Sequence, residues 1–225
     1  MNEIKEAMIY YPELIISLKQ TIYMISISML FGLMVGLVFG TQLFLTRKKS
    51  TVTQTIIYNT LSSYVNIVRS FPFLLLVVML IPVTRVIVGT GFGPKSASVS
   101  LSLVAVAIFA RLSEQVLLDV PKSVLSLADS MGVNQWNLVY HFLWLEARSG
   151  LVLSATSMLI SLVSYSTVMG VVGGGGIGDF AIRYGYQRYE YTVMMMAIVI
   201  MIVLVGCIQF LGYKIAKKLD KRTLS

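Results

Sequence analysis

Five apolar stretches organise this chain, and most of its charge falls between them. The first uncharged run extends from Gln20 to Thr46, between Lys19 and Arg47. A second runs from Ser50 to Thr84, broken only by Arg69, with its densest apolar part at Phe71–Ile81 and prolines at Pro72 and Pro82. The third, Ser96–Ala110, has only 15 residues, so it must extend past Arg111, whose long side chain can snorkel to an interface. The fourth runs from Ser149 to about Val172, and the fifth from Tyr191 to Tyr213. A helix needs about 20 mostly apolar residues to cross a bilayer. The pattern therefore predicts an all-α, polytopic membrane protein with spans at about 20–46, 56–84, 94–114, 149–172 and 191–213, in one domain covering 1–225.

Composition agrees with the pattern. Of the 225 residues, 56% are apolar and 12% charged, whereas soluble domains carry about 25% charged residues. A soluble enzyme, a disordered tail and a collagen-like chain are excluded. The net charge of +8 raises a nucleic-acid reading, but the basic residues sit in short groups between apolar runs, as membrane orientation requires. Cys207 and His141 stand alone in their residue types, so no intrachain disulfide, metal cluster or catalytic triad is expected. Ahead of Gln20, Glu3, Glu6 and Glu13 mix with Lys5 and Lys19. The run that follows is too long for the apolar core of a signal peptide, so it is expected to stay in the mature protein.

Charge also sets orientation. Segments Arg47–Lys49, Arg111–Arg148 and Lys214–Arg222 hold 11 basic residues, against six at Lys5, Lys19, Arg85, Lys95, Arg183 and Arg188. The positive-inside rule places the N-terminus outside and the C-terminus in the cytoplasm, which suits an odd number of spans.

The segment at about 115–148 keeps a helical pattern outside the spans. Pro121 suits the first turn of a helix, with Asp119 ahead of it. Val124, Ala128 and Met131 then share one face. Gly132 can end that helix in the left-handed region, and Asn134 can cap the next, whose stripe is Trp136, Val139, Tyr140 and Leu143. Two short amphipathic helices meeting at a glycine turn suit either a docking element for another protein or a loop lying on lipid.

Ser126-Leu127-Ala128-Asp129-Ser130-Met131-Gly132, followed by Phe142, Trp144, Leu145 and Glu146, resembles the EAA loop of bacterial ABC importer permeases. Ser126-Leu127 stand where that loop has Glu-Ala, and Trp144-Leu145 where it has Leu-Pro. Arg69-Ser70-Phe71-Pro72-Phe73, the stretch Ile81–Thr90, and Gly173–Gly178 with Tyr184-Gly185-Tyr186 look like methionine ABC importer permeases, a likeness covering about 59–219. The resemblance implies a type I importer fold and a homodimer with its pathway along the dimer axis. It also implies two cytoplasmic ABC ATPases binding ATP and Mg, and a periplasmic or extracellular substrate-binding lipoprotein. In that scheme Ser126, Leu127, Ala128, Asp129, Ser130, Met131, Gly132, Phe142, Leu145 and Glu146 couple to the ATPase. The resemblance further implies a complex in the plasma membrane whose cargo is methionine, or another small amino acid or sulfur compound. Independently, the chain has no Gly-x-x-x-x-Gly-Lys-Ser/Thr loop, so no cofactor is expected in it and ATP hydrolysis falls to a partner.

Candidate pathway or gate residues are Arg69, Pro72, Ser164, Tyr165, Ser166, Gly173, Gly174, Gly175, Gly176 and Gly178. Ser164 and Ser166 interrupt the fourth span with hydroxyls, although such hydroxyls also bond their own helix. Arg69 faces a pathway, or marks the point where the second span begins. Gly173, Gly175 and Gly178 formally match a dinucleotide fingerprint but follow no strand; they serve as a tight turn or as a loop at the outer mouth. The 13 methionines are expected to pack the core, and His141 to be an ordinary surface residue. Gly40, away from the docking segment, is expected to tolerate a leucine without loss of ATPase binding. An ion-coupled carrier would show acidic groups within the spans, and every Asp and Glu lies outside the five runs.

Overall fold

A computed structural model of the protein describes residues 10–220, all of them helix, turn or connecting segment. The leader charges Glu3, Lys5 and Glu6, the basic Lys221 and Arg222, and Ser225 lie outside the described residues. The elements are α1 (Tyr11–Thr46), α2 (Val52–Ser70), α3 (Phe73–Val88), α4 (Gly93–Leu118), α5 (Lys122–Ser130), α6 (Gln135–Val171), α7 (Gly176–Phe180) and α8 (Tyr191–Leu219). Helices α1, α4, α6 and α8 are each long and apolar enough to cross a membrane, and α2 with α3 makes a fifth candidate bent by 116°.

That bend corrects the expectation of one helix over 56–84. Proline disfavours helical backbone in the residue before it, and Phe71 is accordingly extended (φ −75°, ψ 133°) with Pro72 heading α3. Pro82 lies inside α3 without ending it. The 16 residues of α3 rise about 24 Å, while α2 turns away from that axis.

The shortest apolar run becomes the most central helix. α4 extends to 26 residues and 56% of its apolar window is buried inside the molecule. Burial by protein, not lipid, explains its modest hydropathy, since serines and alanines allow neighbours close. Ser98 and Ser102 hydroxyls donate to Pro94 O and Ser98 O at 2.7 and 2.6 Å, which satisfies them within the helix.

α1 packs along α4 through Gly32, Gly36 and Gly40, spaced four apart so that they form one stripe. A Cβ at Gly36 would lie 3.0 Å from both Phe109 Cβ and Val106 O. At Gly40 it would collide with Ser113 Oγ and lie 2.6 Å from Ala110 O. Gly40 is therefore a packing position, and a leucine there would push α1 from α4 although it lies away from the α5–α6 turn. The core around this seam joins Met24, Val77, Leu101, Phe109, Met158, Leu162 and Met169. Met24, Met158 and Met169 are buried there, and Met29 and Met201 pack against them.

α5 is a separate short helix, but the second amphipathic helix is not. Gln135–Asn137, a π-helical turn at Leu138–Leu143 and Trp144–Val171 run on as the 37 residues of α6. The expectation of two short helices is corrected on that point. No proline or glycine separates Leu143 from Ser149, so nothing in the backbone ends the helix before the fourth span.

Candidate functional site

The turn between α5 and α6 is built as its residues dictate. Gly132 adopts φ +62°, which costs glycine little and other residues more. Its N–H donates to Asp129 O at 3.1 Å, and Val133 N–H donates to Ala128 O at 3.3 Å. Asn134 Oδ1 accepts from Asn137 N–H at 2.9 Å and caps α6. Pro121 precedes α5 as its cap residue.

The two apolar stripes split on folding. Ala128 is buried, while Val139 and Leu143 pack with Leu117 and Val120 and anchor the turn to the ends of the spans. Leu127, Met131, Trp136 and Tyr140 point outward, with Trp136 72% exposed. Ser126, Asp129, Ser130 and Gly132 are exposed around them. Trp136 stacks on Tyr140 at 6.2 Å, and Tyr140 meets Trp144 edge-on at 4.7 Å. Trp144 Nε1–H then donates to Thr41 Oγ1 at 3.1 Å. An aromatic ladder thus connects the tip to α1. Phe142 is half-buried between Tyr140 and Trp144 in sequence but is not part of the ladder. Leu145 and Glu146 line a separate cavity of about 200 Å³ with Arg148, Leu219 and Asp220. The structure therefore brings 126–132 together at a tip and sets 142–146 behind it.

The pathway candidates do not form one cluster either. Ser166 is buried and donates to Val163 O at 2.7 Å. Tyr165 stacks on Phe73, next to Pro72, at 4.4 Å. Ser164 donates to Ile160 O at 3.3 Å and faces an open groove of about 800 Å³ between α6, α7 and α8. That groove also holds Thr167 and Gln209, and Gln209 continues into a neighbouring cavity beside Ser157.

At the other end of α6, Gly173, Gly175 and Gly176 all take positive φ, between +77° and +88°. Gly173 O accepts from Gly93 N–H at 2.9 Å, and Gly174 N–H donates to Met169 O at 2.7 Å. Gln20 Oε1 accepts from Gly176 N–H at 2.9 Å, and Thr21 Oγ1 from Ile177 N–H at 2.8 Å. Gly178 packs against Thr167 of α6. The glycine segment is a turn pinned by α1 and α4.

Arg69 ends α2 beside Arg47, Arg111 and Glu114. Gln20, at the glycine turn, and Arg47 stand near opposite ends of α1, so Arg69 is remote from Gly173–Gly178.

The family model described as the binding-protein-dependent transport system inner membrane component matches residues 32–224. This chain belongs to that family. It is 42% identical over 203 residues to a protein of Vibrio cholerae named "Probable D-methionine transport system permease protein MetI", covering 90% of each chain. To the methionine import system permease protein MetP of Bacillus subtilis it is 34% identical over 180 residues, covering 80% of this chain and 81% of that one. A chain in an inward-facing structure of the MetNI methionine ABC transporter superposes with a TM-score of 0.88 at 39% identity, covering 92% of this chain and 96% of that one.

An inner membrane transport component needs polar groups where the spans meet water or cargo, and several were missed in the sequence. Thr167 and Gln209 share the groove with Ser164. The signal was present, since Gln209 is a lone amide in the apolar run Tyr191–Tyr213 and polar groups are costly against lipid. Gln20 and Thr21 were passed over as the edge of the first span; their partners lie 156 residues away, beyond any local pattern.

Proposed function

We propose that this inner membrane component is the permease subunit of an ATP-driven importer of methionine, in its L and D forms. It works as a homodimer with two cytoplasmic ABC ATPases and an external binding protein. One observation carries the coupling role: the Gly132 turn displays Leu127, Met131, Trp136 and Tyr140 on a rigidly capped tip connected to α1 by the aromatic ladder. An ATPase gripping that tip moves α6, and α6 carries the groove with Ser164, Thr167 and Gln209 at its far half. The relatives named for methionine transport support the cargo.

The chain needs no cofactor of its own; ATP and Mg belong to the ATPase partner. Arg47, Arg69 and Arg111 line one cavity, and Arg148 Nε–H donates to Leu219 O at 3.0 Å. That sidedness agrees with a cytoplasmic C-terminus and an N-terminus outside. A tag at the N-terminus should react outside intact cells and one at Ser225 should not; both reacting would contradict the orientation. For the function itself, the chain is purified from its host and ATP hydrolysis is measured with the binding protein and a panel of amino acids. A separate ATPase should co-purify, and methionine should stimulate hydrolysis most. No ATPase, or stimulation by a different amino acid, would contradict the proposal.

A further inference from the structure

The arginine-lined cavity, of about 450 Å³, lies between the ends of α1, α2 and α4. Its rim carries Arg47, Arg69 and Arg111, with Tyr58, Gln115 and Leu118 between them and Glu114 as the sole carboxylate among its lining residues. Glu114 is buried and held by Arg111 Nη1 at 2.7 Å, while Arg111 Nη2 donates to Asn66 Oδ1 at 2.6 Å. The Arg111 guanidinium is therefore fixed in position, and the one acceptor for its charge is already used. Among the described residues, the Arg47 and Arg69 side chains have no hydrogen-bond or ion-pair partner. Lys48 follows Arg47, and Lys49 sits over the Tyr58 ring at 4.8 Å. Cations lining one cavity with so little compensation favour an anion between them.

The chemistry of the rim selects the anion. Guanidinium forks match phosphate oxygens in pairs, and Tyr58 and Gln115 add neutral donors. Leu118 is 40% exposed beside them, and Ile56 and Ile67 of α2 are 60% and 61% exposed, so apolar surface flanks the cationic rim. A ligand with a phosphate and long acyl chains satisfies both features, and basic pockets between helices on the cytoplasmic side suit anionic headgroups.

We propose that this cavity holds the phosphate of an anionic phospholipid of the inner leaflet, clamped by Arg47, Arg69 and Arg111. The bound headgroup ties α2, just before its turn at Phe71 and Pro72, to the ends of α1 and α4. The proposal rests on the cytoplasmic orientation given above for its leaflet, but the lipid contact itself is measured independently of orientation.

The test is native mass spectrometry of the purified complex from mixed phosphatidylglycerol and phosphatidylcholine micelles. Wild type is compared with Arg47→Gln/Arg69→Gln and with Arg47→Lys/Arg69→Lys. Wild type should retain phosphatidylglycerol over phosphatidylcholine. The glutamine pair should retain it roughly tenfold less, the loss expected when charge-assisted bonds are removed. The lysine pair should recover part of it. Millimolar inorganic phosphate should leave the lipid adduct in place. Equal retention by wild type and the glutamine pair, no preference between the lipids, or displacement by free phosphate would each overturn the proposal. So would loss of the ATPase subunits from the glutamine pair with its lipid retained, because the cavity would then be a protein contact.

Discussion

At Gly132 and Gly36 the same residue type answers two different demands, and substitution separates them. Gly132 holds φ +62° but has open space around it, with nothing within 4 Å of an added Cβ. Gly36 has an ordinary backbone but no space, with Phe109 Cβ and Val106 O each 3.0 Å from that Cβ. A side chain at Gly132 costs about 1 kcal/mol of backbone strain and leaves the spans packed. At Gly36 a leucine must push α1 from α4, an overpacking cost of about 1–3 kcal/mol or more. Thermal unfolding of the purified complex, followed by size exclusion, should therefore show a much larger loss for Gly36→Leu than for Gly132→Ala. Met34→Ala, at a position 64% exposed on α1, should change little. Equal losses at Gly36 and Met34 would contradict the close α1–α4 seam.

Between elements, the pinned glycine turn makes a sharper statement than its sequence did. Thr21→Val removes the acceptor for Ile177 N–H, leaving a buried amide unpaired at a cost of about 1–3 kcal/mol. Hydrogen exchange at residues 174–180 should speed up several-fold in that variant, while exchange in α5 stays unchanged. Unchanged exchange at 174–180 would show that Thr21 does not hold the turn. Much at this scale was legible beforehand. Uncharged runs located the long helices because lipid demands apolar side chains, and Gly132 and Asn134 announced their turn and cap through local backbone chemistry. The rest depended on partners far along the chain. The bend at Pro72 lay hidden inside a single run broken only by Arg69, because α2 leaves the axis only when α1 and α4 supply its packing. α4 read as a weak span because protein, not lipid, surrounds it. The pathway candidates scattered for a related reason: Ser164, Tyr165 and Ser166 are consecutive, and consecutive helical residues face different ways.

Across the whole molecule, the proposed coupling is a lever: an exposed tip at Gly132, a ladder through Trp136, Tyr140 and Trp144 to Thr41, and a groove on α6 and α8 beyond it. Transport then requires that movement of the tip reach the groove, while folding and insertion do not. The most direct measurement is ATP-dependent methionine uptake into proteoliposomes containing the chain with its ATPase and binding protein, for wild type and Gly132→Leu at matched incorporation. Wild type should take up methionine only with ATP. Gly132→Leu should insert normally, bind the ATPase more weakly and lose uptake by roughly tenfold or more, as a displacement of about 1 kcal/mol or more at each of two docking tips implies. Undiminished uptake by Gly132→Leu, or uptake by wild type without ATP, would contradict the account.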